Sequence, residues 1–183
     1  MANPMQGGRG PRRPRIEEHK EFDQRILELA RVTRVTKGGK RMRFRSCVII
    51  GDGKGRVGYG VAKGADVQQS VAKAAAQAKK RVITVPLVNE TIPHAVSTKF
   101  AAARIIVKPA PKGTGIKAGG AVRTVFELAG IPNIVAKTLG SGNKINNTKA
   151  TILALKRLKV YRHPKKEADK TEGASEAAAA AKA

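Results

Sequence analysis

The sequence predicts an α+β fold of two small domains, with the element order β-β-β-α in the first and β-β-α-β-α in the second. Residues 41–50 alternate between two faces with the period of a β-strand. Residues 65–80 and 121–129 have apolar residues at helical spacing. Residues 89–93 continue neither the strand pattern nor the helix pattern, and we take them as the joint between the two domains. We therefore expect an N-terminal domain over residues 21–88 and a C-terminal domain over residues 89–160.

The first unit is predicted to begin with two strands, over residues 26–35 and 41–50, joined by a Lys-Gly-Gly-Lys turn at residues 37–40. Two sets of side chains alternate along the second of these strands: Met42, Phe44, Ser46, Val48 and Ile50 on one face, and Arg41, Arg43, Arg45, Cys47 and Ile49 on the other. We expect the first face to enter a core. The second face would then carry three arginines about 7 Å apart, near the spacing of phosphates.

A third strand over residues 56–62 and a helix over residues 65–80 complete this unit. Gly58 and Gly60 fall on one face of the third strand, which indicates that something approaches its backbone closely. A packed helix and an RNA backbone explain these glycines equally well.

The second unit is predicted to contain strands over residues 101–109 and 134–139 and helices over residues 121–129 and 147–158. A glycine loop at residues 112–120 leads into the first of these helices. Its exposed amides, with Lys112 and Lys117 nearby, predict an anion site. Turns that need positive φ angles would explain the same glycines, and both explanations can hold together.

The net charge of +24 on 183 residues identifies the class of partner, since residues 21–162 alone carry +21. Neutralising phosphates releases counterions, so nucleic acid is the expected partner. An anionic membrane would require a strongly amphipathic helix, which the sequence lacks. Aromatic residues make up only 3% of the chain, which disfavours reading of unpaired bases by stacking.

The two ends of the chain differ from the middle in composition. Residues 1–20 are rich in Gly, Pro and Arg and are predicted to form a disordered basic arm. Residues 161–183 are near neutral and low in complexity, and are predicted to form a disordered tail. No signal peptide or membrane-spanning run is recognised, so a cytoplasmic location is expected.

No catalytic, metal or cofactor site is predicted. Gly53, Gly55 and Gly58 match the letters of a dinucleotide fingerprint, but a strand follows where that motif needs a helix. His19, His94 and His163 are isolated from other metal ligands, and Cys47 is interpreted as a spectator thiol. The competing hypotheses are an RNA-dependent ATPase that uses the glycine loops and a free RNA chaperone.

Four short segments of the sequence, taken together, are specific enough to indicate a protein family. They are RVTKGG at residues 34–39, GDGKGRVGYG at 51–60, GTGIKAGG at 113–120 and AKTLGS at 136–141. In this order and spacing they closely resemble the bacterial family of small-subunit ribosomal protein S5, over roughly residues 21–158. The resemblance implies a double-stranded-RNA-binding-like first domain, and a place on 16S ribosomal RNA beside ribosomal proteins S4 and S8. It also implies a non-enzymatic role in subunit assembly and in translational accuracy, and a position near the channel through which messenger RNA enters.

The candidate site residues follow from charge, alternation and this resemblance. Family members direct the loop that matches residues 33–40 toward RNA next to the spectinomycin site, and contact S4 near Gly115 and Arg123. The family usually has a small or polar residue where Lys54 stands, so its RNA contact is inferred from charge alone. The expected ribosomal-RNA-binding residues are Arg34, Lys37, Gly38, Gly39, Lys40, Arg41, Arg43, Arg45, Lys54, Arg56, Lys112 and Lys117.

Overall fold

A computed structural model describes residues 21–159 and confirms the α+β class and the order of elements in the two units. The predicted arm at residues 1–20 and tail at residues 161–183 lie outside the described residues. The strands are β1 (Asp23–Thr36), β2 (Gly39–Gly51), β3 (Arg56–Gly64), β4 (Ile83–Thr84), β5 (Val96–Phe100), β6 (Ala103–Pro109), β7 (Ile116–Lys117) and β8 (Ile134–Gly140). The helices are α1 (Val67–Lys79), α2 (Gly120–Ala129) and α3 (Lys144–Lys156).

The elements form four layers. The first sheet has the order β1-β2-β3-β4 and is antiparallel throughout, whereas the second has the order β5-β6-β8-β7 and pairs only β7 in parallel. Helix α1 covers one face of the first sheet, and α2 and α3 lie between its other face and the second sheet. The outer face of the second sheet is therefore left uncovered by the described residues. None of the three helices is long and apolar enough to cross a bilayer.

The glycines of β3 are explained by α1, which decides between the two possibilities that the sequence left open. Val48 and Ile50 of the neighbouring strand pack against small residues of this helix. A Cβ on Gly60 would lie 1.9 Å from the carbonyl oxygen of Ala74, and one on Gly58 would lie 2.6 Å from that of Ala78. The closely approaching backbone is thus that of a helix, not of RNA.

The expectation that only one face of β2 enters a core is wrong. Ile49, on the arginine-bearing face, is fully buried against the second unit, while Met42, on the face expected to be buried, is 54% exposed. Alternation assigns side chains to faces, but it does not tell how far the covering helices extend. Here helices cover both faces of the C-terminal half of β2, and neither face of its N-terminal half.

One hydrophobic core joins the two units. The fully buried side chains of Val122, Val125 and Phe126 on α2 belong to a cluster that includes Ile49 and Val57 of the first sheet. The same cluster includes buried residues of the second sheet and of α3. Helix α3 begins three residues before its predicted start. Asn143 caps the helix there, because its side-chain oxygen accepts hydrogen bonds from the backbone amides of Ile145 and Asn146.

The glycine-rich turn between β2 and β3 is built into the C-terminal end of α2. The amides of Gly53 and Gly55 donate hydrogen bonds to the carbonyl oxygens of Leu128 (3.1 Å) and Ala129 (2.8 Å). The last carbonyls of a helix have no partner within the helix, so the turn satisfies acceptors that would otherwise be buried unpaired. Gly51 lies equally close, because a Cβ there would be 2.0 Å from the Leu128 oxygen.

Asp52 holds this turn in shape. Its carboxylate accepts hydrogen bonds from the amides of Lys54 (2.8 Å) and Arg56 (3.0 Å) and from Nε of Arg56 (2.6 Å). Desolvation raises the pKa of Asp52, but the hydrogen bonds from Arg56 and Lys54 outweigh it and lower the pKa from 3.8 to about 2. The carboxylate side chain is only 6% exposed, so it contributes to the stability of the fold.

Substitution of Gly51 by Ala is expected to separate the turn from α2. The added methyl group would meet backbone atoms of Leu128, which cannot move without breaking the two amide hydrogen bonds. We expect a loss of about 3 kcal/mol in the free energy of unfolding, measured by urea denaturation. Gly38→Ala is the control, since nothing lies within 4 Å of the Cβ position there. Equal stability of the two variants would contradict the role given to the turn.

Substitution of Asp52 by Asn is expected to cost about 2 kcal/mol of stability at pH 7, because the folded-state pKa lies below the unfolded one. The depressed pKa means that this stabilisation is complete above about pH 4 and is lost as the pH falls toward 2. The difference between wild type and variant should therefore shrink over that interval in urea unfolding. A difference that stays constant with pH would show that the charge on Asp52 is irrelevant.

Candidate nucleic-acid interface

The hairpin of β1 and β2 extends beyond the helices that cover its base. Nearly all of residues 31–43 are exposed, and Val35 is 72% exposed. The predicted turn is confirmed, with Lys37 and Gly38 at its tip between paired Thr36 and Gly39. Gly39 has φ +141°, a conformation that disfavours a side chain. The extended backbone of the hairpin therefore presents its cations away from the body of the protein.

One face of this hairpin collects five cations. The side chains at paired positions point to the same face, so Arg34 and Arg41 lie side by side, as do Arg45 and Lys63. Arg43 lies between these pairs along β2. A groove of about 320 Å³ runs along this face, and its lining includes four of the five cations. We call these five residues the hairpin face: Arg34, Arg41, Arg43, Arg45 and Lys63.

The like charges of the hairpin face repel each other and destabilise the isolated fold. Like charges directly opposite each other on neighbouring strands are destabilising, and this face contains two such pairs. The one carboxylate that the described structure places against it is Glu28, 3.5 Å from Arg45. A local rule broken without internal compensation is typical of a functional surface. The missing negative charge is most simply supplied by a polyanion.

The opposite face and the tip of the hairpin add further cations. Arg31 and Lys40 lie on the opposite face with the exposed side chain of Met42, and Lys37 lies at the tip. Arg31 and Lys63 were missed by sequence reasoning. Lys63 could be found only from the pairing of β3 with β2, since nothing in its own segment distinguishes it from a solvated lysine.

Lys54 and Arg56 lie at the other end of β2 and are not brought together with the hairpin face. The Arg56 guanidinium is bonded to Asp52 and lies 5.2 Å from the centre of the Phe22 ring. Both contacts hold Arg56 in the framework of the first unit. Lys54 is exposed in the turn, where only its amide is engaged.

The glycine loop before α2 is a turn in which two of the glycine amides are already used. Gly113 and Gly115 have positive φ angles, and both of their amides donate to Oδ1 of buried Asn133 at 3.1 Å. The turn explanation of these glycines is confirmed, and these two amides cannot serve an external anion. Lys112 is 3.5 Å from Glu90, and Lys117 is carried by β7 onto the outer face of the second sheet.

Arg123, the candidate contact with S4, has an internal carboxylate partner. Its Nε donates to Glu127 at 2.8 Å, one turn further along α2, and Glu127 also accepts from Arg25 of β1. The hydrogen bond from Arg123 lowers the pKa of Glu127, and that from Arg25 adds to it, against the effect of desolvation. The Arg123 side chain is still 58% exposed. Glu127 therefore anchors Arg123 without removing it from the surface.

The described residues show no arrangement for metal binding or nucleophilic chemistry. No three His, Cys, Asp or Glu side chains within residues 21–159 are grouped so that they could hold a metal ion. Burial raises the pKa of the Cys47 thiol to about 11, so the thiol is protonated at neutral pH. The chemistry that the described surface offers is the binding of anions.

Comparison with protein families gives two matches. Residues 22–86 match the model described as ribosomal protein S5, N-terminal domain, and residues 98–168 match ribosomal protein S5, C-terminal domain. The matches follow the two units in order and together span well over half of the chain. The chain therefore belongs to the ribosomal protein S5 family, whose members are structural, non-enzymatic components of the small ribosomal subunit.

Proposed function

We propose that this chain is a bacterial, cytoplasmic constituent of the small ribosomal subunit that binds 16S ribosomal RNA and supports subunit assembly. The observation that carries the proposal is the hairpin face, where five cations meet a single carboxylate. The proposed RNA-binding surface also includes four residues at the tip of the same hairpin: Lys37, Gly38, Gly39 and Lys40. The contacts of Lys54, Arg56, Lys112 and Lys117 with ribosomal RNA belong to the proposal but rest on charge alone.

The mode of binding is recognition of phosphates and shape. Arginine presents several donors in a planar fork that matches a phosphate group, and its charge does not titrate in the physiological range. The hairpin face has no aromatic side chain on which an unpaired base could stack. A-form RNA also hides its major groove, so its backbone and minor groove are what a rigid hairpin can contact.

The influence on translational accuracy would act through S4, at Gly115 and Arg123. Gly115 has φ +72° and lies in the loop held by Asn133, while Arg123 projects from the first turn of α2. The two residues flank the start of one helix, so a partner could contact both together. We also propose that the chain contacts S8, and messenger RNA at the channel through which it enters the subunit.

Removal of a hairpin-face arginine should weaken RNA binding and reduce its dependence on salt. For the intact chain and structured 16S ribosomal RNA, we expect affinity to fall roughly 10³–10⁵-fold between 50 and 200 mM salt if about 6–10 phosphates are contacted. Arg41→Ala or Arg43→Ala should lower the slope of log affinity against log salt by about one. Filter binding over this range measures both quantities.

The matched control is Arg157→Ala, which removes an exposed arginine at the end of α3. It should leave the salt slope at the wild-type value. None of the variants should unfold at a lower urea concentration than wild type, since Arg41 and Arg43 are exposed and Arg41 is paired with a like charge. A salt response that is flat, or equally reduced by Arg157→Ala, would rule out the hairpin face as the principal phosphate site.

Arg123→Leu should raise misreading if the S4 contact is made by this residue. Leucine keeps the bulk of the side chain but removes the charge, so the expected effect is on the interface rather than on peptide-bond formation. A near-cognate reporter in cells whose subunits all contain the variant measures misreading. We expect an increase of about twofold or more, equivalent to roughly 0.4 kcal/mol of lost discrimination.

Arg25→Leu provides the control, because Arg25 is the other partner of Glu127 and lies on β1. If Arg123 acted only by holding Glu127, the two variants would raise misreading equally. Unchanged misreading in Arg123→Leu would show that this arginine serves the framework alone.

A further inference from the structure

The outer face of the second sheet is a broad cationic surface that sequence reasoning left almost unnoticed. Its inner face is covered by α2 and α3, and side chains of alternate residues point outward on all four strands. None of the outward-pointing side chains of the four strands is acidic. We call this surface the sheet face. Its cations are Lys99, Arg104, Lys108, Lys117 and Lys137.

Like the hairpin face, the sheet face has positive charges that lie close together. Lys99 on β5 lies directly opposite Arg104 on β6, so two like charges are paired across the strands. None of the five cations forms an ion pair with a carboxylate of residues 21–159. Four strands about 4.8 Å apart spread these charges over roughly 14 Å, which is wide enough to face several phosphates.

A hollow of about 540 Å³ lies beside the Lys99–Arg104 pair. Its other walls are Ala101, Ala102, Leu139 and Gly140, at the end of the sheet. Ala101 has φ +51°, an unfavourable conformation for a residue with a Cβ. The pair of cations therefore borders a space that can admit a phosphate or a ribose.

We propose that the sheet face is a second RNA-binding surface of this chain, and that it takes the phosphate backbone of double-helical RNA. The inference rests on the proposed function, since it presumes that RNA is the partner. It adds a surface on the second unit, separated from the hairpin by the layer of α2 and α3.

The side chains between the cations favour a duplex over other partners. Ile106, Val135 and Leu139 each lie directly opposite a cation on a neighbouring strand, so they form no continuous apolar patch. The cores of protein–protein interfaces are usually depleted of charged residues, unlike this alternation of cations and apolar side chains. The sheet face also has no aromatic side chain, so unpaired bases would find nothing to stack on.

The first test uses the full chain and a blunt 20-base-pair RNA duplex as the probe, with fluorescence anisotropy over a range of salt. Arg104→Glu combined with Lys137→Glu should weaken binding about tenfold or more and lower the salt slope by about two. Arg104→Lys combined with Lys137→Arg keeps both charges and should bind like wild type. Lys156→Glu on α3, which changes charge without touching the sheet face, should have a smaller effect per charge.

The outcomes separate this inference from the proposed function. Weak binding by the hairpin variant Arg43→Ala, with unchanged binding by the double glutamate variant, would overturn the sheet face alone. Failure of the wild-type chain to bind RNA at all would overturn both the proposed function and the role of the sheet face. Tighter binding of a poly-glutamate peptide than of the duplex, lost in the double glutamate variant, would assign the surface to an acidic protein.

A second measurement locates the RNA directly. Cys47 is the only cysteine and is buried, so a cysteine introduced on the surface can be labelled selectively with a photo-crosslinker. Ser97→Cys places the label on the sheet face, and Gln68→Cys places it on α1, three layers away. Higher crosslinking to the duplex from residue 97 than from residue 68 is expected. Equal or lower yield at residue 97 would overturn the proposal.

Discussion

The docking of the glycine-rich turn onto the end of α2 is the contact on which the rest of the structure depends. Gly53 and Gly55 donate to the last carbonyls of the helix, and Gly51 lies against it with no room for a side chain. The contact is reciprocal, because a Cβ on Gly130 would lie 2.0 Å from the oxygen of Gly53. Two units that could each bury only a small core are thereby joined around one larger core.

Close approach of backbones compensates for the lack of large side chains in this core. Phe126 is the largest of the fully buried side chains in the described structure, and the next largest are all Ile, Leu or Val. The first sheet instead receives α1 at its glycines, with Ala74 and Ala78 on the helix. Small residues on both partners bring more backbone atoms into van der Waals contact, which supports dense packing without aromatic rings. Of the glycines that match a nucleotide fingerprint, Gly58 is thus a packing residue, whereas Gly53 and Gly55 have the positive φ angles of a turn.

The sequence predicted most of the elements and which residues of β2 share a face, but it missed the strand β5 (Val96–Phe100) and could not predict which faces the helices cover. Alternation in β2 correctly placed Arg41, Arg43 and Arg45 on one face, yet the burial of Ile49 on that same face depends on a helix far away in the chain. Lys63 joins the hairpin face only through strand pairing. The use of the Gly113 and Gly115 amides could not be predicted for a similar reason, because their acceptor is Asn133, a residue with no distinguishing signal in sequence.

The same limit explains why the sheet face was missed. Its cations are spread over residues 99–137 as single lysines and arginines, so no local charge run draws attention to them. They become one surface when β8 inserts between β6 and β7, which places segments distant in sequence side by side. A sum of charge over residues 89–162 indicates the excess, but only the strand order indicates where it is exposed.

The few acidic residues of the described chain are distributed in a way that separates framework from surface. Asp52 holds Arg56, and Glu127 holds both Arg25 and Arg123, so these carboxylates stabilise the turn and the contact between the units. The hairpin face and the sheet face receive almost none. Because uncompensated like charges repel, the isolated fold is less stable than its core alone would allow. A ligand that binds only the folded state adds stability by mass action, so RNA bound at these two faces, as proposed, would also stabilise the fold.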